Sequence, residues 1–252
     1  MQKNSDNKVK INNFFIIHLD RATKRKKQVN FLKNIIPFKV SIVSAVDGEK
    51  LSNKVISSHK LDVLLPRYPF NMNSAEIATF LSHRKCWQKI IDDKLDGAVI
   101  IEDDVEINSE FFDYNLDEAL INIKQGDFIR FPISNREKPN LFFTSNKKAT
   151  IFKPVIIGLG MQVQIVTKDA ALSLLKDTKT FDRPVDTYLQ LKWKHKLKIL
   201  TVIPSGISEI SNNLGGSLIG DKKSLLDKFL KEIMRPVYRL KIYFLSMLYY
   251  KR

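Results

Sequence analysis

The segment Ala98-Val99-Ile100-Ile101-Glu102-Asp103-Asp104-Val105 constrains this chain more than any other. Four apolar residues, three of them β-branched, run straight into three carboxylates. A short apolar run of this kind reads as a strand buried on both faces, as in a helix-covered parallel sheet. In an open α/β sheet, ligands gather outside the carboxyl ends of the strands. The acids therefore belong at the rim of the sheet, where a site forms. Three adjacent carboxylates repel one another, so something cationic has to offset them. Nearby Lys or Arg would serve, and so would a divalent metal. Hard cations such as Mg2+ and Mn2+ take oxygen ligands, often one or two carboxylates together with substrate phosphates. Side chains alternate along a strand, so Glu102 and Asp104 are expected to face one way and Asp103 the other. A solvated acidic strand end is the simpler alternative.

The rest of the chain carries cations in excess. Its 252 residues have a formal net charge of +15 and a pI near 9.7. That balance implies a polyanionic neighbour: nucleic acid, an anionic membrane surface or phosphorylated substrates. A hydrophobic fraction of 44% and an aromatic fraction of 10% exclude disorder except at the ends. The length suits one large α/β domain or two small ones. A single cysteine, Cys86, rules out an intrachain disulfide and fits a reducing compartment. Beside Trp87 in a helix-like segment, it reads as a buried apolar residue rather than a nucleophile. Residues 1–6 are polar and lack the apolar core of a signal peptide. No stretch reaches the roughly 20 apolar residues of a membrane span. The expectation is a cytoplasmic protein, peripheral on the inner face of the cytoplasmic membrane.

Hydrophobic patterning predicts a strand over 13–19, a basic helix to about Leu32, and a second strand over 40–46 closed by Asp47-Gly48. This is a βαβ unit, and it implies a parallel sheet. Residues 50–72 read as a loop. A helix follows from Ser74, its expected N-cap, to about Asp92. Further strands are expected at 98–101, 127–131, 161–166 and 199–203, and helices at 169–176 and 186–193. Residues 134–150 read as a loop or hairpin and 205–220 as a flexible loop.

Four other features carry candidate chemistry. Asp186, after Pro184-Val185, is either a helix cap or a general base for an acceptor hydroxyl. His83, beside Ser82, Arg84 and Lys85, is either a structural hydrogen-bonding residue or part of a phosphate contact. Asp20 and Arg21 end the first strand, where ligands approach. Residues 222–252 hold nine basic and two acidic side chains among aromatic and apolar ones. They suit a helix at a membrane interface or one docked on the domain's own core.

Taken together these segments resemble glycosyltransferase family 25, the bacterial lipopolysaccharide and lipooligosaccharide glycosyltransferases related to collagen galactosyltransferases. Phe15-Ile16-Ile17-His18-Leu19-Asp20-Arg21 is similar to the family's opening strand and turn, with His18 in place of Asn. Val46-Asp47-Gly48, the segment Ser74 to His83 with Trp87, Ile100 to Val105, Gly160 to Leu175, and Pro184-Val185-Asp186 follow in the family's order. Ala75 and Thr79 depart from its Gly and Cys. The resemblance covers about residues 13–211.

It implies a GT-A type α/β fold: a mostly parallel central sheet flanked by helices, one catalytic domain over 11–220, and a basic helical tail over 221–252. It implies inverting transfer of a hexose, commonly galactose, from a UDP-sugar to a lipooligosaccharide or other glycan acceptor. Asp186 and Glu102 become the expected catalytic acids, and Glu102 and Asp104 the expected ligands of Mn2+ or Mg2+. Asp20, Arg21, Glu76, Ser82, His83 and Asp103 become the expected donor-binding residues. Three rival readings stand beside it, one of them an inactive scaffold that keeps the fold, against which the intact acidic motif argues. A glycoside hydrolase also uses paired carboxylates, but adjacent acids on one strand do not flank a sugar. Nucleic-acid binding rests on charge alone, without a recognisable module.

Overall fold

The computed structural model describes residues 9–59, 64–145, 150–195, 197–214 and 225–250. Ten strands and eight α-helices lie among them. The strands are β1 (Asn13–His18), β2 (Lys39–Ser44), β3 (Gly97–Glu102), β4 (Val105–Ile107), β5 (Asp127–Arg130), β6 (Pro139–Ser145), β7 (Thr150–Pro154), β8 (Val163–Thr167), β9 (Lys198–Ile203) and β10 (Ile207–Glu209). The helices are α1 (Lys26–Ile35), α2 (Asn53–Ser58), α3 (Ser74–Asp92), α4 (Ser109–Asn122), α5 (Lys168–Asp177), α6 (Val185–Leu189), α7 (Lys192–His195) and α8 (Leu225–Tyr250).

Eight strands form one sheet in the order β2-β1-β3-β8-β5-β9-β7-β6. Its first three strands are mutually parallel, as the βαβ pattern predicts. The sheet as a whole is mixed: β8 runs antiparallel to both of its neighbours, and β7 does the same. Six strands therefore point one way and two the other. Their direction could not be read from the apolar runs themselves.

The run at 98–101 is buried throughout because helices cover both faces of the sheet. Alternation splits it between two cores. Ala98 and Ile100, with Phe15 and Ile17 of β1, face a core built on α3, α5 and α6. Val99 and Ile101, with Phe14 and Ile16, face a second core built on α1 and α4. In the first core Phe80 of α3 stacks on Phe181 at 3.9 Å between ring centroids.

Several local expectations are corrected. Asn73, not Ser74, caps α3: its side chain accepts from the Glu76 N–H while Glu76 accepts from the Asn73 N–H, a reciprocal capping box. The segment 50–72 contains α2. The helix expected at 186–193 is two short helices, α6 and α7. Residues 205–220 are not all loop, since β10 pairs antiparallel with β4, and 215–220 lie outside the described residues. In the tail, α8 begins at Leu225; 221–224 and 251–252 lie outside the described residues.

The alternatives for the tail are partly resolved. Tyr238, Ile242 and Ser246, spaced by four, are buried against the domain. Fully buried Arg183 donates to the Tyr238 hydroxyl (2.8 Å), to the Leu64 and Pro66 carbonyls and to Asp182. Another face of α8, with Ile233, Val237, Leu240, Phe244 and Leu248, stays exposed. Among the described residues no helix is long and apolar enough to cross a membrane.

Phe80→Ala removes a fully buried ring from the first core and should lower stability by about 3–5 kcal/mol in equilibrium denaturation. A loss below about 1 kcal/mol would show that the stacked pair does not hold α3 in place.

Candidate active site

The carboxyl ends of β1 and β3 and the N-terminal half of α3 enclose a cleft of about 240 Å³. A larger cavity of about 1090 Å³ adjoins it. Glu102 and Thr79 line both. Of the three strand-end acids, Glu102 thus stands where the two cavities meet.

Glu102 is the last residue of β3 and is held by a relay. Gln164 of β8 donates from Nε2 to His83 Nδ1 (3.0 Å) and to the Met161 carbonyl (3.3 Å). With Nδ1 accepting, the His83 proton sits on Nε2 and is donated to Glu102 Oε1 (3.0 Å). Glu102 Oε2 has no hydrogen-bond donor among the described residues. His83 is fully buried and lines the smaller cleft, but both ring nitrogens are engaged. Arg84 and Lys85 do not join it around a phosphate. Arg84 donates to carbonyls at the end of α5, and Lys85 donates to the Ser44 carbonyl.

Strand alternation ends at Glu102, because Asp103 and Asp104 form a turn. All three acids consequently line the smaller cleft, and the expected opposition of Asp103 to its neighbours does not hold. Asp103 is buried. It accepts from His18 Nδ1 (2.6 Å) and from Arg25 Nη1 (2.6 Å), while Arg25 also meets Asp104 Oδ2 (3.0 Å). Arg25 is the compensating cation that the acidic run demands. Burial pulls its guanidinium down, but Asp103 and Asp104 outweigh that and raise it above its ordinary value. Asp104 keeps a net deficit. Burial, then the charge of Glu102, push its carboxyl up to about 6.

The other expected donor residues are distributed unevenly. Ser82 donates to the Ala78 carbonyl and accepts from the Val46 N–H, tying α3 to the end of β2. Arg21 lines the smaller cleft and pairs with Asp47 and Glu49 at 3.0 Å each. Asp47 also caps the turn through the Glu49 N–H, and Gly48 lies so close to α3 that a Cβ would stand 2.9 Å from the Ser74 carbonyl oxygen. Glu76 lines the larger cavity while serving its capping box. Asp20 lines neither cavity; it is exposed and accepts from Ser44 Oγ.

Asp186 lines the larger cavity from the first turn of α6, so it is not the cap; Pro184 is. Its Oδ2 accepts from the Gly160 N–H (3.0 Å), and its Oδ1 from the Thr187 N–H (2.6 Å) and hydroxyl. Gly160 has φ +97°, and a Cβ there would collide with the Gln162 side chain. Buried Arg130 of β5 braces this turn through the carbonyls of Leu159 and Gly160, and pairs with Glu137 at 2.7 Å. Cys86 is buried away from both cavities, and burial pushes its thiol up, as befits an inert core residue.

Among the described residues no group of three or more His, Cys, Asp or Glu is placed to hold a metal ion. Glu102 and Asp104 offer two carboxylates in one cleft. That donor set fits a hard cation held chiefly by phosphate oxygens, not a self-sufficient protein metal centre.

Comparison with known proteins identifies the family. The family model for Glycosyltransferase family 25 (LPS biosynthesis protein) matches residues 11–189. Procollagen galactosyltransferase 2 of Mus musculus is 31% identical over 109 residues, 41% of this chain and 17% of that protein. A probable inactive glycosyltransferase 25 family member 3 of Bos taurus is 33% identical over 104 residues, 38% of this chain and 17% of its own length. A glycosyltransferase 25 family member of Drosophila melanogaster is 27% identical over 215 residues, 79% of this chain and 34% of that protein. The alignments with the mouse and bovine proteins span about a sixth of their lengths, and that with the fly protein about a third.

Because the folded Asp104 pKa lies above the ordinary carboxylate value, its ionisation opposes folding. Its stabilising contribution is full below about pH 4 and is lost as pH rises through about 6. Asp104→Asn should therefore stabilise the metal-free protein by about 1–3 kcal/mol at pH 7.5 and by nothing measurable at pH 4. Denaturant titrations at the two pH values decide this; a variant less stable than the parent at pH 7.5 would contradict the charge analysis.

Proposed function

The chain belongs to glycosyltransferase family 25, and from that premise we propose that it transfers a hexose, galactose foremost, from a UDP-sugar to a glycan acceptor with inversion. The acceptor class proposed is a lipooligosaccharide or lipopolysaccharide core, and the fold type proposed is GT-A. The observation that carries the reading is the position of Glu102. It closes the strand-end acid cluster of the smaller cleft and also lines the cavity that holds Asp186.

The smaller cleft is assigned to the donor and the larger one to the acceptor. Asp186 is held by three donors, two of them backbone N–H groups, which fix its orientation. A carboxylate offers roughly four lone-pair sites, so capacity remains to accept a hydroxyl proton. In the proposed step the acceptor oxygen forms a bond to the anomeric carbon as the bond from that carbon to the diphosphate oxygen breaks. The hydroxyl proton passes to Asp186, and the bonding electron pair departs with UDP. Glu102, aligned by His83 and Gln164, faces the junction where the anomeric carbon would lie. Mn2+ or Mg2+, when bound, would offset charge on the departing diphosphate, with Glu102 and Asp104 as its protein ligands.

The proposed location is the cytoplasmic face of the inner membrane. Support comes from α8, whose exposed apolar face, with Leu240 and Phe244, is flanked by exposed Lys241. A non-catalytic reading draws on the relative named probable inactive, and the transfer assay separates the two.

With UDP-galactose, Mn2+ and truncated oligosaccharide, the protein should form UDP and extended product. Asp186→Asn should lower kcat by about 100-fold or more while leaving UDP affinity unchanged. Transfer undiminished in that variant would remove Asp186 from the chemistry, and absence of transfer with any nucleotide sugar would favour the non-catalytic reading. Separately, the protein should co-sediment with phosphatidylglycerol vesicles, and Leu240→Glu with Phe244→Glu should abolish this. Equal sedimentation of parent and variant would reject α8 as the membrane face.

A further inference from the structure

The wall of the larger cavity carries four cations that the proposed reaction does not use. Arg136 and Lys138 reach it from the segment leading into β6, and Arg235 and Arg239 from α8. Arg235 and Arg239 are spaced by four and so share a helix face. All four are exposed, and none has a carboxylate partner among the described residues. Four carboxylates line the same cavity, and each accepts from protein groups, Glu102 through one oxygen only. Glu76 closes the capping box, Glu102 accepts from His83, Glu137 pairs with Arg130, and Asp186 accepts from Gly160 and Thr187.

Only Glu137 is neutralised by a cation, so four cations without an ion-pair partner among the described residues stand against three carboxylates, Glu76, Glu102 and Asp186, that keep their charge, an excess that favours an anion beside the cations. Two of the groups belong to a helix that packs the cavity wall through Tyr238 and Ile242, and Arg235 stands 6.0 Å from the Phe70 ring centroid. None of the four lines the smaller cleft, where the cations Arg21 and Arg25 are already paired with carboxylates. We propose that Arg136, Lys138, Arg235 and Arg239 form a subsite for a phosphate monoester carried by the acceptor, in the same cavity as Asp186. The inference rests on the transferase reading for the word acceptor. The alternative source of the same chemistry is the donor diphosphate.

The test is calorimetric titration of the full chain with glucose, glucose 6-phosphate and, with Mn2+, UDP. Two charge-reversal variants are compared, Arg235→Glu with Arg239→Glu and Arg136→Glu with Lys138→Glu. They lie on different elements, so a shared effect cannot come from local misfolding of one. The unaltered protein should bind glucose 6-phosphate at least about tenfold more tightly than glucose, and both variants should lose that preference with the Kd of UDP unchanged. Equal binding of the two sugars, or a preference that survives both reversals, would overturn the subsite. A parallel fall in UDP affinity would move the cations to the donor and overturn the acceptor assignment. Failure of the unaltered chain to bind UDP would count against the transferase reading, while the sugar-phosphate preference is still decided by the same comparison.

Discussion

The buried contact between Asp103 and Arg25 is the interaction on which the site depends. Arg25 comes from the short turn that feeds α1, and Asp103 from the end of the central strand. With His18 at the end of β1 as its second partner, Asp103 fastens three segments at one corner of the sheet. Removing one partner of such a pair leaves an uncompensated buried charge, which is costly by about 3–5 kcal/mol. The contact also decides which acids remain for chemistry. Asp103 is occupied by its neighbours, Asp104 is only partly offset, and Glu102 is left with one engaged and one open oxygen.

From that corner the geometry spreads outward along two rigid supports. On one side α3 delivers His83 to Glu102, and its reciprocal cap fixes where the helix begins. On the other, Arg130 and Gly160 shape the turn that presents a backbone N–H to Asp186. Arg183 then links the segment preceding Asp186 to α8 through Tyr238. The helix α8 is thereby part of the wall of the larger cavity rather than an appendage.

How much of this was legible in the sequence depended on the range of the interaction. The central strand was legible because both its faces are buried, so no polar residue interrupts the run before Glu102. The cap of α3 was legible in principle: Asn73 and Glu76 stand three apart, the spacing of a capping box, whereas Ser74 and Glu76 do not. The strands β4 and β10 have three residues each, too few for a period to show. The helix α4 buries Phe112, Leu116 and Ala119, but Asp113, Asn115 and Asp117 interleave with them and blur the period in the sequence. Arg130 and Glu137 could not be paired from the sequence, since their meeting depends on the fold around β5. The cation pairing of Asp103 was foreseen as a need, but Arg25 emerged as its answer only once β1 and β3 were adjacent.

The central claim is that the strand-end acids and Asp186 face one continuous space in which a nucleotide sugar reacts. A crystal structure of the protein soaked with UDP and Mn2+ tests it most directly. The account predicts the diphosphate in the smaller cleft, within reach of Glu102 and Asp104 and open towards Asp186. Nucleotide bound on another surface, with those carboxylates facing only solvent or their present protein partners, would contradict it.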